Sequence, residues 1–208
     1  MSEPEQELPQ IYLLTPSAFD VETFPTALAS VLDAHEVACV RLALASKDEY
    51  VLGKAADACR EVCHARDVAI VIEHHVALAE RHGLDGVHLT DGARSIRKVR
   101  KLLGDDAIVG AYCGASKHDG MTAGEAGADY VAFGPVGDTE LGDGTKAPRD
   151  LFEWWSLMIE VPVVAEGALS VEIVKDLAPV TDFFAVGEEI WSTDDPAKAL
   201  GDLIAAMG

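Results

Sequence analysis

The sequence predicts a single (β/α)8 barrel, and three observations predict it. Eight short apolar runs alternate with longer amphipathic ones along the 208 residues. The short runs are nearly continuous in apolar residues, as strands are when both faces are covered. The first run ends in Leu14-Thr15-Pro16, without the Gly-rich turn that opens a dinucleotide-binding open sheet. The length suits one sizeable core and is short for two.

The elements follow in order. Residues 1–10 are acidic and read as a flexible tail, which leaves 11–208 as the barrel domain. The first strand is Ile11–Thr15. Val21–Ala34 then repeats apolar residues at spacings of three and four, the helical period. Strand Ala38–Leu44 leads to helix Asp48–Ala65, with Ser46 or Asp48 as its N-cap. Strand Val68–Ile72 precedes helix His75–His82, and Gly86–Leu89 precedes Arg94–Leu103. Ala107–Tyr112 is followed by Met121–Ala126, and Tyr130–Phe133 by Asp150–Ile159. Strand Val161–Ala165 leads to helix Val171–Leu177, capped by Ser170 with Glu172 in its first turn. Phe183–Val186 is the last strand, and Pro196 suits the first turn of the last helix, Pro196–Met207. Gly, Pro, Asp or His bounds each strand.

Composition narrows the function. A net charge of −20 argues against nucleic-acid binding, which needs a basic footprint. An anionic ligand would have to find a local basic pocket. No apolar run reaches the roughly 18–20 residues of a membrane span. Met1 to Gln10 has no apolar core of the secretory kind, so a cytoplasmic location is the expectation. Cys59 and Cys63 lie one helical turn apart, and Cys39 and Cys113 lie in apolar runs. At least three of them read as ordinary buried thiols, and no second Cys/His pair has zinc-ligand spacing. Apolar helix faces on small barrels often pair, so a homodimer is a further expectation.

In barrels of this kind the chemistry sits at the C-terminal ends of the strands. The residues to read are therefore Arg41 to Ala45, Glu73-His74, Thr90-Asp91, Tyr112 to His118, Gly134 to Lys146, Glu166 to Leu169 and Gly187 to Ile190. Glu73 can pair with Arg41 inside the mouth or, with His74, ligate a metal. Trp154-Trp155 reads as helix packing.

Some of these stretches form a recognisable order. Ile11-Tyr12-Leu13-Leu14-Thr15 comes first, then Gly86-Val87-His88-Leu89. Next is Gly127-Ala128-Asp129-Tyr130-Val131-Ala132-Phe133-Gly134-Pro135-Val136, then Thr139, Thr145-Lys146 and Pro162-Val163-Val164-Ala165. From Ile11 to about Gly201 the chain resembles thiamine phosphate synthase and its sister group, the thiazole tautomerases. The resemblance implies a reaction that joins a pyrimidine-methyl diphosphate to a thiazole phosphate, with magnesium helping the diphosphate leave. Its ligands would be thiazole- and pyrimidine-like small molecules. It implies substrate contacts from Arg41, His88, Tyr112, Thr139, Thr145, Lys146 and Gly167. It implies His118 as general acid/base, from the tautomerase side. Glu73 and Asp91 are the candidate magnesium ligands.

Several positions depart from the family pattern. The Arg and Lys that end the family's second strand are Ala43 and Ala45 here, with Arg41 in place of a Gln. A metal-binding Asp aligns with Ala93. The Gly-rich phosphate turn after strand seven is Glu166-Gly167-Ala168, and a Ser after strand eight is Glu188. These replacements predict a divergent barrel of thiamine metabolism, with its diphosphate and magnesium site largely lost and no synthase activity. The alternatives are an active synthase with a rearranged site, and a non-catalytic small-molecule-binding or regulatory scaffold.

Overall fold

The computed structural model describes residues 8–208. Residues 1–7 of the expected tail lie outside the described residues, and Gln10 already belongs to the first strand. The strands are β1 (Gln10–Leu14), β2 (Cys39–Leu42), β3 (Ala69–Glu73), β4 (Gly86–Leu89), β5 (Ile108–Tyr112), β6 (Tyr130–Phe133), β7 (Val163–Glu166) and β8 (Phe183–Val186). All pair in parallel in sequence order, and β8 returns to β1 to close the barrel. The helices are α1 (Phe24–Ala34), α2 (Glu49–His64), α3 (Val76–Arg81), α4 (Ile96–Leu103), α5 (Lys117–Glu125), α6 (Arg149–Met158), α7 (Val171–Leu177), α8 (Glu188–Trp191) and α9 (Pro196–Ile204). None of the described helices is long and apolar enough to cross a membrane.

The two-residue period of the strands sorts their side chains into two layers. Outward positions such as Ile11, Leu13, Val40, Ile70, Val87, Val131 and Phe184 pack under the helices in one large apolar core. Inward positions such as Tyr12, Cys39, Val71, Tyr130, Val164 and Ala185 fill the barrel in a second, smaller cluster. Arg41, Glu73, His88, Tyr112 and Glu166 continue the inward parity toward the C-terminal ends. The same alternation that builds the core therefore aims these polar groups into the barrel. Gly110 makes room for the inward Tyr130 below them: a Cβ there would sit 1.9 Å from Tyr130 Cζ.

The boundaries that differ from expectation have local causes. β2 stops at Leu42 because the Ala43 amide donates to Thr15 Oγ1 at 3.0 Å instead of joining the ladder. β7 starts at Val163, after Pro162, which has no N–H to give. α5 begins at Lys117, ahead of the expected Met121, because Ser116 Oγ caps it by accepting from the Asp119 amide at 3.1 Å. Asp48 and Ser170 cap α2 and α7, as expected. The short α8 is an addition between β8 and the last helix. All four cysteines are buried free thiols, and burial pushes Cys39, Cys59 and Cys113 up to about 12. Trp155 is fully buried against Phe133, while Lys117 lies over the Trp154 ring at 3.2 Å.

Candidate active site

Arg41 is the centre of the barrel interior. It is only 3% exposed, and a buried charge needs partners. Its NH2 lies 2.9 Å from Glu166 Oε2 and its Nε 3.2 Å from Glu73 Oε1. Its NH1 bonds His88 Nε2 at 2.7 Å. Burial works against the guanidinium charge, but Glu166, Tyr12 and Glu73 outweigh it and hold Arg41 above its ordinary value. Burial also pushes the Glu166 carboxyl upward, and Arg41 pulls it back. At 2.9 Å from a guanidinium that is never deprotonated, the ionised carboxylate is the form the pairing favours.

This pairing also fixes the tautomer of His88. Arginine only donates, so Nε2 must accept. The proton is then on Nδ1, which donates to the Tyr130 hydroxyl at 2.9 Å. A further 2.5 Å bond joins Tyr130 to Tyr12. Burial and the neighbouring Arg41 charge hold His88 well below its ordinary value, so the ring is neutral. Burial raises both phenols. Glu166 thus faces Arg41, in place of the phosphate that its alignment suggested it would repel.

Above this network lies an open cleft of about 1060 Å³. Its walls come from the loop after β4 (Thr90 to Arg94) with Arg97 of α4, the end of β5 and the loop after it (Tyr112 to Ser116), the length of α5 (His118, Asp119, Thr122, Glu125), and the loop after β6 (Gly142, Asp143, Thr145). Tyr112 links the two levels. It lines the cleft while its hydroxyl donates to the Gly134 carbonyl at 2.6 Å, and burial pushes it up to about 12.

The sequence-predicted residues divide between these places. Tyr112, His118, Thr145 and Asp91 line the cleft. Asp91 accepts from the Ser95 hydroxyl at 2.6 Å, and the Thr145 backbone N–H donates to Asp143 Oδ1 at 2.9 Å. Arg41, His88 and Glu73 belong to the buried network. Thr139 is exposed, and the exposed Lys146 pairs with Asp138 at 2.7 Å. Gly167 holds a left-handed φ of 95° under Pro135, which a side chain there would approach at 2.9 Å. No three His, Cys, Asp or Glu among the described residues converge as a metal site.

Sequence reasoning missed three features. Tyr12 and Tyr130 share the inward parity of Arg41 and His88, a signal available in the strand period. Arg94 and Arg97 line the cleft just after the Gly-Val-His-Leu strand. Glu189 is the third. Its carboxylate accepts from the Leu169 amide at 3.0 Å and the Gly187 amide at 2.7 Å. It therefore joins the loops after β7 and β8, where such barrels frequently bind phosphate. Glu188 beside it is exposed.

The comparisons bear on the expectation of a lost site. The chain is 42% identical over 205 residues to the thiamine-phosphate synthase of Rhodospirillum centenum (strain ATCC 51521 / SW), covering 95% of this chain and 97% of that protein. It is 38% identical to the enzyme of that name from Erythrobacter litoralis (strain HTCC2594), over 97% and 99% of the two chains. Among solved structures, a thiamine phosphate pyrophosphorylase from Pyrococcus furiosus shares the fold at TM-score 0.82 and 20% identity, covering 95% of each chain. A 3-hexulose-6-phosphate synthase shares it at TM-score 0.70 and 16% identity. The divergent, synthase-inactive reading is corrected by the first two relatives, which carry the synthase name at this identity and coverage. The physical reason lies in the cations. Ala43 and Ala45 remove charge from one strand end, but the mouth draws its walls from several loops, and Arg94 and Arg97 stand in the cleft. The family model described as thiamine monophosphate synthase matches residues 11–190, and the chain belongs to that family.

Proposed function

We propose that the chain is a thiamine-phosphate synthase. It would join a pyrimidine-methyl diphosphate to a thiazole phosphate, releasing diphosphate. The observation that carries this reading is the near full-length identity of 42% to a protein of that name. In the reaction the bond between the pyrimidine methylene and the diphosphate oxygen breaks, and its electron pair leaves with the diphosphate. The thiazole nitrogen then gives its lone pair to the methylene carbon.

The cleft suits these demands. Tyr112 presents an aromatic wall to a developing pyrimidine-methyl cation. Ser116, His118 and Thr145 offer hydrogen bonds around the same space. Arg41 holds its position through Glu73, Glu166 and His88, and would serve the pyrimidine end from below. Magnesium commonly takes one or two protein carboxylates and completes its shell with substrate phosphates and water, so a preformed cage is not needed. Of the four cleft carboxylates, Asp91, Asp119, Glu125 and Asp143, this reading gives the role to Asp91, while Glu73 is committed to Arg41. When bound, the ion would neutralise charge on the departing diphosphate. Gly167, Thr139 and Lys146 belong to loops that would contact the thiazole phosphate and the substrate from above. A cytoplasmic enzyme working as a homodimer is consistent with this reading.

The test is direct. The purified protein, supplied with both substrates and magnesium, is expected to form thiamine phosphate and diphosphate in equal amounts. No product above background at high enzyme concentration would overturn the reading.

A further inference from the structure

The chain carries eight arginines. Six of them are engaged with carboxylates: Arg41, Arg60, Arg66, Arg81, Arg100 and Arg149. The other two, Arg94 and Arg97, have no ion-pair or hydrogen-bond partner among the described residues. They are also the two arginines that line the mouth cleft. In a protein with 36 acidic and 16 basic side chains, an arginine without a carboxylate is unusual.

Their position in the fold adds a second argument. Arg94 stands just ahead of α4, and Arg97 lies in its first turn. The N-terminus of a helix favours negative charge, so cations there are unfavourable until an anion joins them. Carboxylates are near, with Asp91, Asp119, Glu125 and Asp143 on the same cleft, but none of them pairs with either arginine. The first turn of α4 has no acidic residue, and Ser95 makes no capping bond because its hydroxyl donates to Asp91. Two guanidiniums and the start of α4 therefore share a cleft with Ser116, His118 and Thr145 and with the carboxylates of Asp91, Asp119, Glu125 and Asp143.

We propose that Arg94 and Arg97 bind the diphosphate of the pyrimidine substrate. This rests on the synthase reading and deepens it. The planar guanidinium suits a phosphate because it can donate two parallel hydrogen bonds. A diphosphate offers enough oxygens to engage both arginines and still share a cation with Asp91. The positive charge absent at Ala43 and Ala45 on one side of the mouth is then supplied from the loop after β4 on another.

Inorganic diphosphate is the probe, titrated by calorimetry against the full chain with magnesium present. The Arg94→Ala/Arg97→Ala variant is expected to bind it at least about tenfold more weakly than the wild type. A Lys98→Ala/Lys101→Ala variant loses the same charge from α4 outside the cleft and is expected to stay within about twofold. In turnover, the arginine variant should show a raised KM for the pyrimidine diphosphate and an unchanged KM for the thiazole phosphate. Equal weakening in the two variants, or an arginine variant within about twofold of wild type, would overturn the proposal. Both arginines are exposed, so the variant should keep its thermal midpoint. A wild type that makes no thiamine phosphate but loses diphosphate binding through the arginine substitutions would sink the synthase reading alone.

Discussion

At the scale of the residue, Arg41 and His88 show how a barrel interior can be polar and ordered. Each charge in it has a stated counterpart, and each ring nitrogen a stated role. A pH dependence follows. His88 is held well below its ordinary value in the folded chain, whereas in the unfolded chain it returns to about 6.5. Above that pH both states are neutral, and the histidine contributes no pH dependence. As pH falls below it, only the unfolded state takes up the proton, so stability falls by up to about 1.4 kcal/mol per pH unit from this group. Glu166, held above its ordinary value, works in the opposite direction. Comparison with a His88→Gln variant separates the two. Urea midpoints between pH 7.5 and 5 should decline more steeply in the wild type, by about one proton's worth of slope. Parallel declines would refute the neutral buried ring.

At the scale of the element, α5 illustrates how close a helix must come to the sheet. Gly120 faces Phe133 and Trp155, both fully buried, and a Cβ there would lie 2.7 and 2.8 Å from their ring atoms. Alanine improves helix propensity by about 1 kcal/mol, but overpacking against rings that cannot retreat costs about 1–3 kcal/mol. The contact wins, and Gly120→Ala should lower stability. Gly124, one turn on, meets only Val161 at 3.3 Å. Gly124→Ala should therefore be the more stable variant in denaturant unfolding, and the reverse order would contradict the packing described. The elements also show what a sequence discloses. Strand period, Pro196 and the Ser170 cap are local signals, and they located most of the barrel. The early start of α5 rests on the Ser116 cap, which lies ahead of the apolar period that begins at Met121. The pairing of Arg41 with Glu166 was hidden for a different reason. The two are far apart in sequence, and only the register carried through the closed sheet brings them face to face. Glu166 therefore reads, along the sequence, as a charge spoiling a phosphate turn.

At the scale of the whole molecule, the charge of −20 is the dominant property. Half of the 16 lysines and arginines are paired with carboxylates, and the acids outnumber the bases so far that they repel one another across the surface. Salt screens such long-range repulsion, with a Debye length falling from about 30 Å at 0.01 M to about 10 Å at 0.1 M. The thermal midpoint should accordingly rise as sodium chloride increases from 0.01 to about 0.5 M. A fall would mean that the ion pairs outweigh the repulsion. The same field explains why local cations matter for an anionic ligand: they must reverse it over the width of one cleft.

Glu189 leaves one more consequence. The amides of Leu169 and Gly187 already hold a carboxylate, so the junction of the last two strand loops is never a bare pair of donors. A phosphate bonding those amides would do so by exchange, one anion displacing another. Its affinity there would be a difference between two similar terms. When it left, the chain's own side chain could close behind it, turning product departure into a competition that the tethered group enters at high effective concentration.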